Sequence, residues 1–135
     1  MKKRTIHILL ADDDPDDQEM MITAFSKVNP AFQLHIVNTG KQAIEFLNKA
    51  TEKDLPCLIM LDYNMPELTG IQVVKDLSKN KRFHAIPKVI LSTSSNPKYI
   101  SDCLNNGADA YKVKPDTFEG LIHVAEEVLA LCKAA

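Results

Sequence analysis

This chain of 135 residues offers neither a cysteine framework nor an obvious metal-binding spacing. Cys57, Cys103 and Cys132 are odd in number, widely separated and free of any CxxC pattern, which argues against a disulfide framework and a zinc site. A reducing cytoplasm is the expected setting. His7, His35, His84 and His123 share no ligand spacing and are expected as solvated or hydrogen-bonded surface groups. Excess charge of one sign is also missing: 16 Lys and Arg against 18 Asp and Glu leave −2, so there is no electrostatic case for nucleic acid or an anionic membrane. Long apolar runs are absent as well. Lys2-Lys3-Arg4 looks like the start of a signal peptide, but Ile6 to Ala11 is too short for a signal core or a bilayer span. No repeat, linker or low-complexity segment interrupts the chain. What is there is an ordinary globular composition, 45% hydrophobic and 25% charged, in a length suited to a single domain over residues 1–135.

The apolar pattern alternates between short continuous runs and 3.6-residue periodicity. Ile6–Ala11, Gln33–Val37, Leu58–Leu61, Lys88–Leu91 and Ala110–Val113 read as strands. The polar start and alternation of the second suit a place near the sheet edge. Between them lie helical faces: Met21, Ala24, Phe25 and Val28 before Pro30; Ala43, Ile44 and Leu47 after Asn38-Thr39-Gly40; Ile71, Val73, Val74 and Leu77; and Phe118, Leu121, Ile122, Ala125, Val128 and Leu129. The fourth helix, from Pro97 to Asn106, is closed by Gly107. Local disorder is expected in the polar connection Asn48 to Asp54, and Ser78 to His84 reads as a basic connection. Five strands alternating with five helices predict an α/β fold with a doubly wound parallel sheet, whose strand ends gather on one side.

Chemistry collects at those ends. Asp62 closes the most continuous apolar strand, where a carboxylate is held rigidly yet can be reached from the crevice. Five acids fall within Asp12 to Asp17. Asp14 before Pro15 reads as a helix cap, with Asp16 and Asp17 favoured by the first-turn dipole. Asp12 and Asp13 precede that cap and repel one another unless a cation joins them, so they are candidate metal ligands. Lys114-Pro115 follows the last strand. Ser92 opens a hydroxyl-rich loop which alone would signal only capping.

Taken together, Asp12-Asp13, Asp62 with Met65-Pro66 and Gly70, Ser92, Tyr111 and Lys114-Pro115 resemble the receiver domain of two-component response regulators, the CheY-like, flavodoxin-like fold. The resemblance spans essentially the whole chain and implies strand order 2-1-3-4-5. It implies Asp62 as phosphoacceptor for a phosphoryl group from a sensor histidine kinase, in a stand-alone module that modifies only itself. Mg²⁺ would be held by Asp13, Asp62 and the Asn64 backbone carbonyl, with Asp12 acting through water. Lys114 would meet a phosphoryl oxygen, aimed by a cis Pro115, while Ser92 and Tyr111 would act as the switch. Output would pass to another protein or a second copy through the fourth helix, fifth strand and fifth helix. Ser92 stands where Thr is usual, and Thr93, where Ala or Gly is common, is expected to narrow access. Leu91-Ser92-Thr93-Ser94, with Leu34-His35-Ile36-Val37, Thr39-Gly40 and Ala43, resembles the single-domain regulators that serve phytochrome-type kinases. A phosphatase or phosphotransferase using an aspartyl phosphate is the competing class; against it, Asn64 stands where haloacid-dehalogenase-like enzymes place an Asp.

Overall fold

The computed structural model describes residues 6–132. Its elements are β1 (Ile6–Ala11), α1 (Pro15–Val28), β2 (Phe32–Val37), α2 (Gly40–Lys49), β3 (Leu58–Asp62), α3 (Gly70–Ser78), β4 (Lys88–Ser92), α4 (Pro97–Asn105), β5 (Ala110–Val113) and α5 (Phe118–Leu129), with a 3-10 turn at Glu52–Asp54. The five strands are parallel in the order β2-β1-β3-β4-β5. Every residue of β3 and β4 is buried, which is why both read as continuous apolar runs rather than alternating ones.

The pleat sends alternate side chains of each strand into two cores. Leu9, Ile59, Leu61 and Ile90 meet Ala43, Leu47, Val73, Val74, Leu77 and Cys103 of α2, α3 and α4. On the other face Ile8, Leu10, Met60 and Val89 meet Met21, Ala24 and Phe25 of α1 and Leu121, Val124, Ala125 and Val128 of α5. Local signals start and stop the helices. Asp14 accepts from Asp16 N and Asp17 N, Thr69 and Gln72 form a reciprocal capping box, and Gly107 leaves α4 at φ +114°.

Three expectations change. The stretch Asn48 to Asp54 is structured: α2 continues through Lys49, the 3-10 turn follows, and the Arg82 guanidinium donates to Leu47 O at 3.1 Å, to Ala50 O and to Glu52 Oε1 at 2.6 Å. That arginine comes from the basic connection after α3, which also buries Phe83 and turns its carbonyls toward Lys88. The Lys88 ammonium, buried with its residue 1% exposed, donates to Phe83 O, His84 O and Ile86 O at 2.8–3.1 Å. Burial lowers its pKa, and the three carbonyls stand in for water.

Cys57 and Cys132 form a disulfide, with Cα atoms 5.1 Å apart across 75 residues of sequence. Count and spacing argue against a disulfide framework; packing of the end of α5 beside the start of the central strand supplies this one bridge. Finally, the peptide bonds of the described residues are all trans, Lys114–Pro115 included. Trans is the form an X–Pro bond favours by about 0.5–1 kcal/mol, and the trans loop still carries the lysine into the acidic cluster. No helix among the described residues is long and apolar enough to cross a membrane.

Candidate functional site

The carboxyl ends of β1, β3 and β5 bring one lysine and several carboxylates together. Asp12 is 1% exposed at the end of β1, with its amide bonded to Val37 O at 3.0 Å and its Oδ1 accepting from Asp14 N at 2.9 Å. Asp62 is 7% exposed at the end of β3, its Oδ1 accepting from Asn64 N at 3.2 Å. Lys114 is positioned by its own amide, which donates to Ser92 O at 2.7 Å. Its Nζ lies 3.1 Å from Asp62 Oδ2, 3.4 Å from Asp12 Oδ2 and 2.9 Å from Asp17 Oδ2.

Burial raises the Asp12 carboxyl from 3.8 to about 6, against the Asp14 amide and the Lys114 charge, which pull it down. Asp62 is raised for the same first reason, and Lys114 and the Asn64 amide oppose the rise. Lys114 itself loses solvent, yet the bond to Asp17 and the charges of Asp62 and Asp12 more than compensate and push its pKa up. One ammonium therefore serves three carboxylates, and the pocket holds an excess of negative charge. Asp12, Asp13 and Asp62 each offer an oxygen within 4.8 Å of the others. Three hard oxygen donors with an exposed side at Asp13 fit a small divalent cation such as Mg²⁺.

The loop between β3 and α3 is shaped by close contacts. Asp62 is followed by Tyr63, whose amide continues the ladder to Leu91 O at 2.8 Å. Gly70 N returns to Tyr63 O at 3.1 Å, and a Cβ on Gly70 would stand 2.8 Å from Asp62 O, so α3 can start this near the site only from a glycine. Met65 is buried under the loop and Asn64 is exposed beside the carboxylates. Across the pocket Ser92 is 2% exposed, its Oγ accepting from Ser94 N at 3.1 Å. Tyr111 donates its hydroxyl to Ser94 O at 2.7 Å, packing against the β4–α4 loop, and Thr93 points its exposed side chain to solvent. Pro115 lines a small cavity with Asp12, Asp17, Leu91 and Lys114.

The structure thus gathers Asp12, Asp13, Asp62 and Lys114 into one cluster, with Ser92 joined to it through the Lys114 amide. Sequence reasoning missed two members. The first-turn dipole is a sufficient reason for Asp17 in the sequence, yet its place in the first turn of α1 also brings it to Lys114. Gln18 donates to Asp12 O and to Asn38 Oδ1 at 2.7 Å, tying the ends of β1 and β2 together. No local pattern marks a glutamine for that role.

A parallel sheet in the order 2-1-3-4-5 with an acidic pocket and a lysine at its carboxyl edge defines a CheY-like α/β signalling domain. The response regulator receiver domain family matches residues 8–126, and the chain belongs to that family. Phosphorylation by histidine kinases, conformational switching and Mg²⁺ binding at an acidic pocket are general properties of receiver domains. Among its relatives, the probable methanogenesis regulatory protein FilR2 of Methanothrix harundinacea is 28% identical over 90% of this chain and 79% of its own. The two-component response regulator ORR1 of Oryza sativa subsp. japonica is 33% identical over 80% of this chain and 48% of its own, so the chain spans about half the length of that relative. The crystal structure of the phosphorylated cyanobacterial phytochrome response regulator RcpA has the same fold, with a TM-score of 0.84 at 24% identity over 95% of this chain and 94% of that one.

Proposed function

We propose that residues 1–135 act as one receiver domain in which Asp62 is the phosphoacceptor. The observation that carries this reading is the Lys114 ammonium set between Asp62 and Asp12, in a pocket that still has carboxylate oxygens to spare for a cation. In the transfer, an Asp62 carboxylate oxygen forms a new P–O bond as the P–N bond to a kinase histidine breaks. The imidazole leaves with the electron pair and takes a proton from solvent. Lys114 neutralises a phosphoryl oxygen, giving up part of its contact with Asp62. Ser92 turns its hydroxyl to the same group. Asp13, Asp62 and the Asn64 carbonyl would hold Mg²⁺, with Asp12 acting through water, and the ion would offset the remaining phosphoryl charge.

The modified Asp62 then favours one arrangement of Ser92 and Tyr111, and the surface of α4, β5 and α5 changes with them. Another protein or a second copy of the chain reads that surface. The chain modifies itself and acts on no external substrate. The Leu91–Ser94 run supports a phytochrome-type kinase as donor, and a cytoplasmic setting goes with that reading, although the Cys57–Cys132 bridge would there stand against a reducing milieu. The test is direct: with Mg²⁺ and acetyl phosphate the protein should gain one labile phosphoryl group, and Asp62→Asn should gain none. Stoichiometric labelling of that variant would refute the assignment.

A further inference from the structure

The amino ends of the strands carry a second cluster, about 16 Å from Asp12 at roughly 3.3 Å per strand residue. His7 of β1 pairs with Gln33 of β2, and Leu9 pairs with His35, so the two histidines occupy diagonal positions on adjacent strands beneath α2. His7 Nδ1 and His35 Nε2 are 2.9 Å apart. The other nitrogen of His7, Nε2, faces Asp54 Oδ1 at 3.8 Å. Gln33, Phe46 and Lys49 complete a cavity over the pair, with the Phe46 ring centroid 5.0 Å from that of His35.

We propose that His7 and His35 bind a borderline divalent transition cation of the Zn²⁺ class, with Asp54 orienting His7. Zinc–nitrogen bonds of about 2.0–2.1 Å at the tetrahedral angle place two ligand nitrogens about 3.3 Å apart. The nitrogens therefore need to part by only a few tenths of an ångström, while both rings, now stacked with centroids 5.1 Å apart, must also turn so that their lone pairs converge beside the line that joins them. A ligating imidazole characteristically gives its second N–H to a carboxylate, which fixes its tautomer and raises its basicity. Asp54 Oδ1, 3.8 Å from Nε2 and so just beyond hydrogen-bond reach, can do this for His7 once its exposed side chain closes by less than an ångström, leaving the Nδ1 lone pair toward His35. His35 matches it with its own proton on Nδ1 and the Nε2 lone pair inward. Water fills the remaining positions. Lys49, the cation among the lining residues, is exposed and can keep its charge in solvent. Two imidazoles discriminate against Mg²⁺, which prefers oxygen ligands, so this site works independently of the carboxylate pocket.

The test titrates Zn²⁺ into the full chain with the carboxylate pocket saturated by Mg²⁺, followed by calorimetry and by imidazole NMR. Ring signals of His7 and His35 should shift together while those of His84 and His123 stay. His7→Gln and His35→Gln should each remove the binding event, Asp54→Asn should weaken it about tenfold, and Asp62→Asn should leave it intact. Because the ring signals are read on the unsubstituted protein, a variant that fails to fold does not rescue the proposal. Zinc taken up only at the carboxylates, or shifts that leave His7 and His35 untouched, would reduce the pair to a plain imidazole hydrogen bond and overturn it.

Discussion

Asp12 shows at the scale of one residue how burial and function oppose each other. Its carboxyl titrates at about 6 in place of 3.8, so the metal-free fold keeps a proton there that the unfolded chain has already lost. The stability contributed by that protonated carboxyl is fully present below about pH 3.8 and is lost as pH rises through about 6. In EDTA at pH 7, Asp12→Asn should therefore be more stable than the unsubstituted protein by about 1–3 kcal/mol, taking ~1.4 kcal/mol per pKa unit. The gap should close as the pH is lowered toward 4. Thermal unfolding of both proteins across that range measures it, and a pH-independent gap would contradict the account. The asparagine still accepts from the Asp14 amide, and Lys114 keeps Asp17 and Asp62, so the comparison isolates one charge.

Among the elements, the turn from α4 into β5 makes the sharpest demand on sequence. Gly107 adopts φ +114°, and a Cβ there would stand 2.4 Å from Ser78 Oγ and 3.2 Å from Ser78 Cβ. Gly107→Ala should lower stability by about 1–3 kcal/mol, read from the urea midpoint, while labelling of Asp62 persists. Adding Ser78→Ala should recover only part of the loss, since it relieves the contact and leaves the backbone strain; full recovery would mean that the backbone costs nothing. The glycine was legible as a helix stop because a C-terminal cap is a local event. So were Asp14 as the cap of α1 and the apolar stripes of α3 and α5. Arg82 was not, because its partners Leu47, Ala50 and Glu52 lie 30 to 35 residues earlier in the chain.

The whole molecule is tied by one covalent bond and two packed faces. Closing a loop across 75 residues should stabilise the fold by about 2–4 kcal/mol. Reduction, or Cys57→Ser with Cys132→Ser, should shift the denaturation midpoint accordingly. In denaturant without reductant a single thiol, that of Cys103, should react; three reactive thiols would show that the bridge is absent. Cys103 is buried and its pKa is pushed up to about 11 by that burial, so in the folded protein it should stay inert. The switch also belongs to this scale. Beryllofluoride with Mg²⁺ should alter amide exchange in residues 97–132, across α4, β5 and α5, and Tyr111→Phe, which removes the bond to Ser94 O, should shrink the change. Unaltered exchange in a sample shown to bind the mimic would leave a passive phosphate sink as the better account. By itself the sequence determined the alternation of strands and helices, the caps, the buried β3 with Asp62 at its end, and the acids beyond β1, because periodicity and capping act within a few residues. Tertiary structure alone decided that Asp17 shares Lys114, that Pro115 is trans, that Cys57 meets Cys132 and that His7 meets His35. Those contacts depend on strand register and on which helix packs over which strand, and no spacing along a chain encodes a distance between elements that only folding brings together.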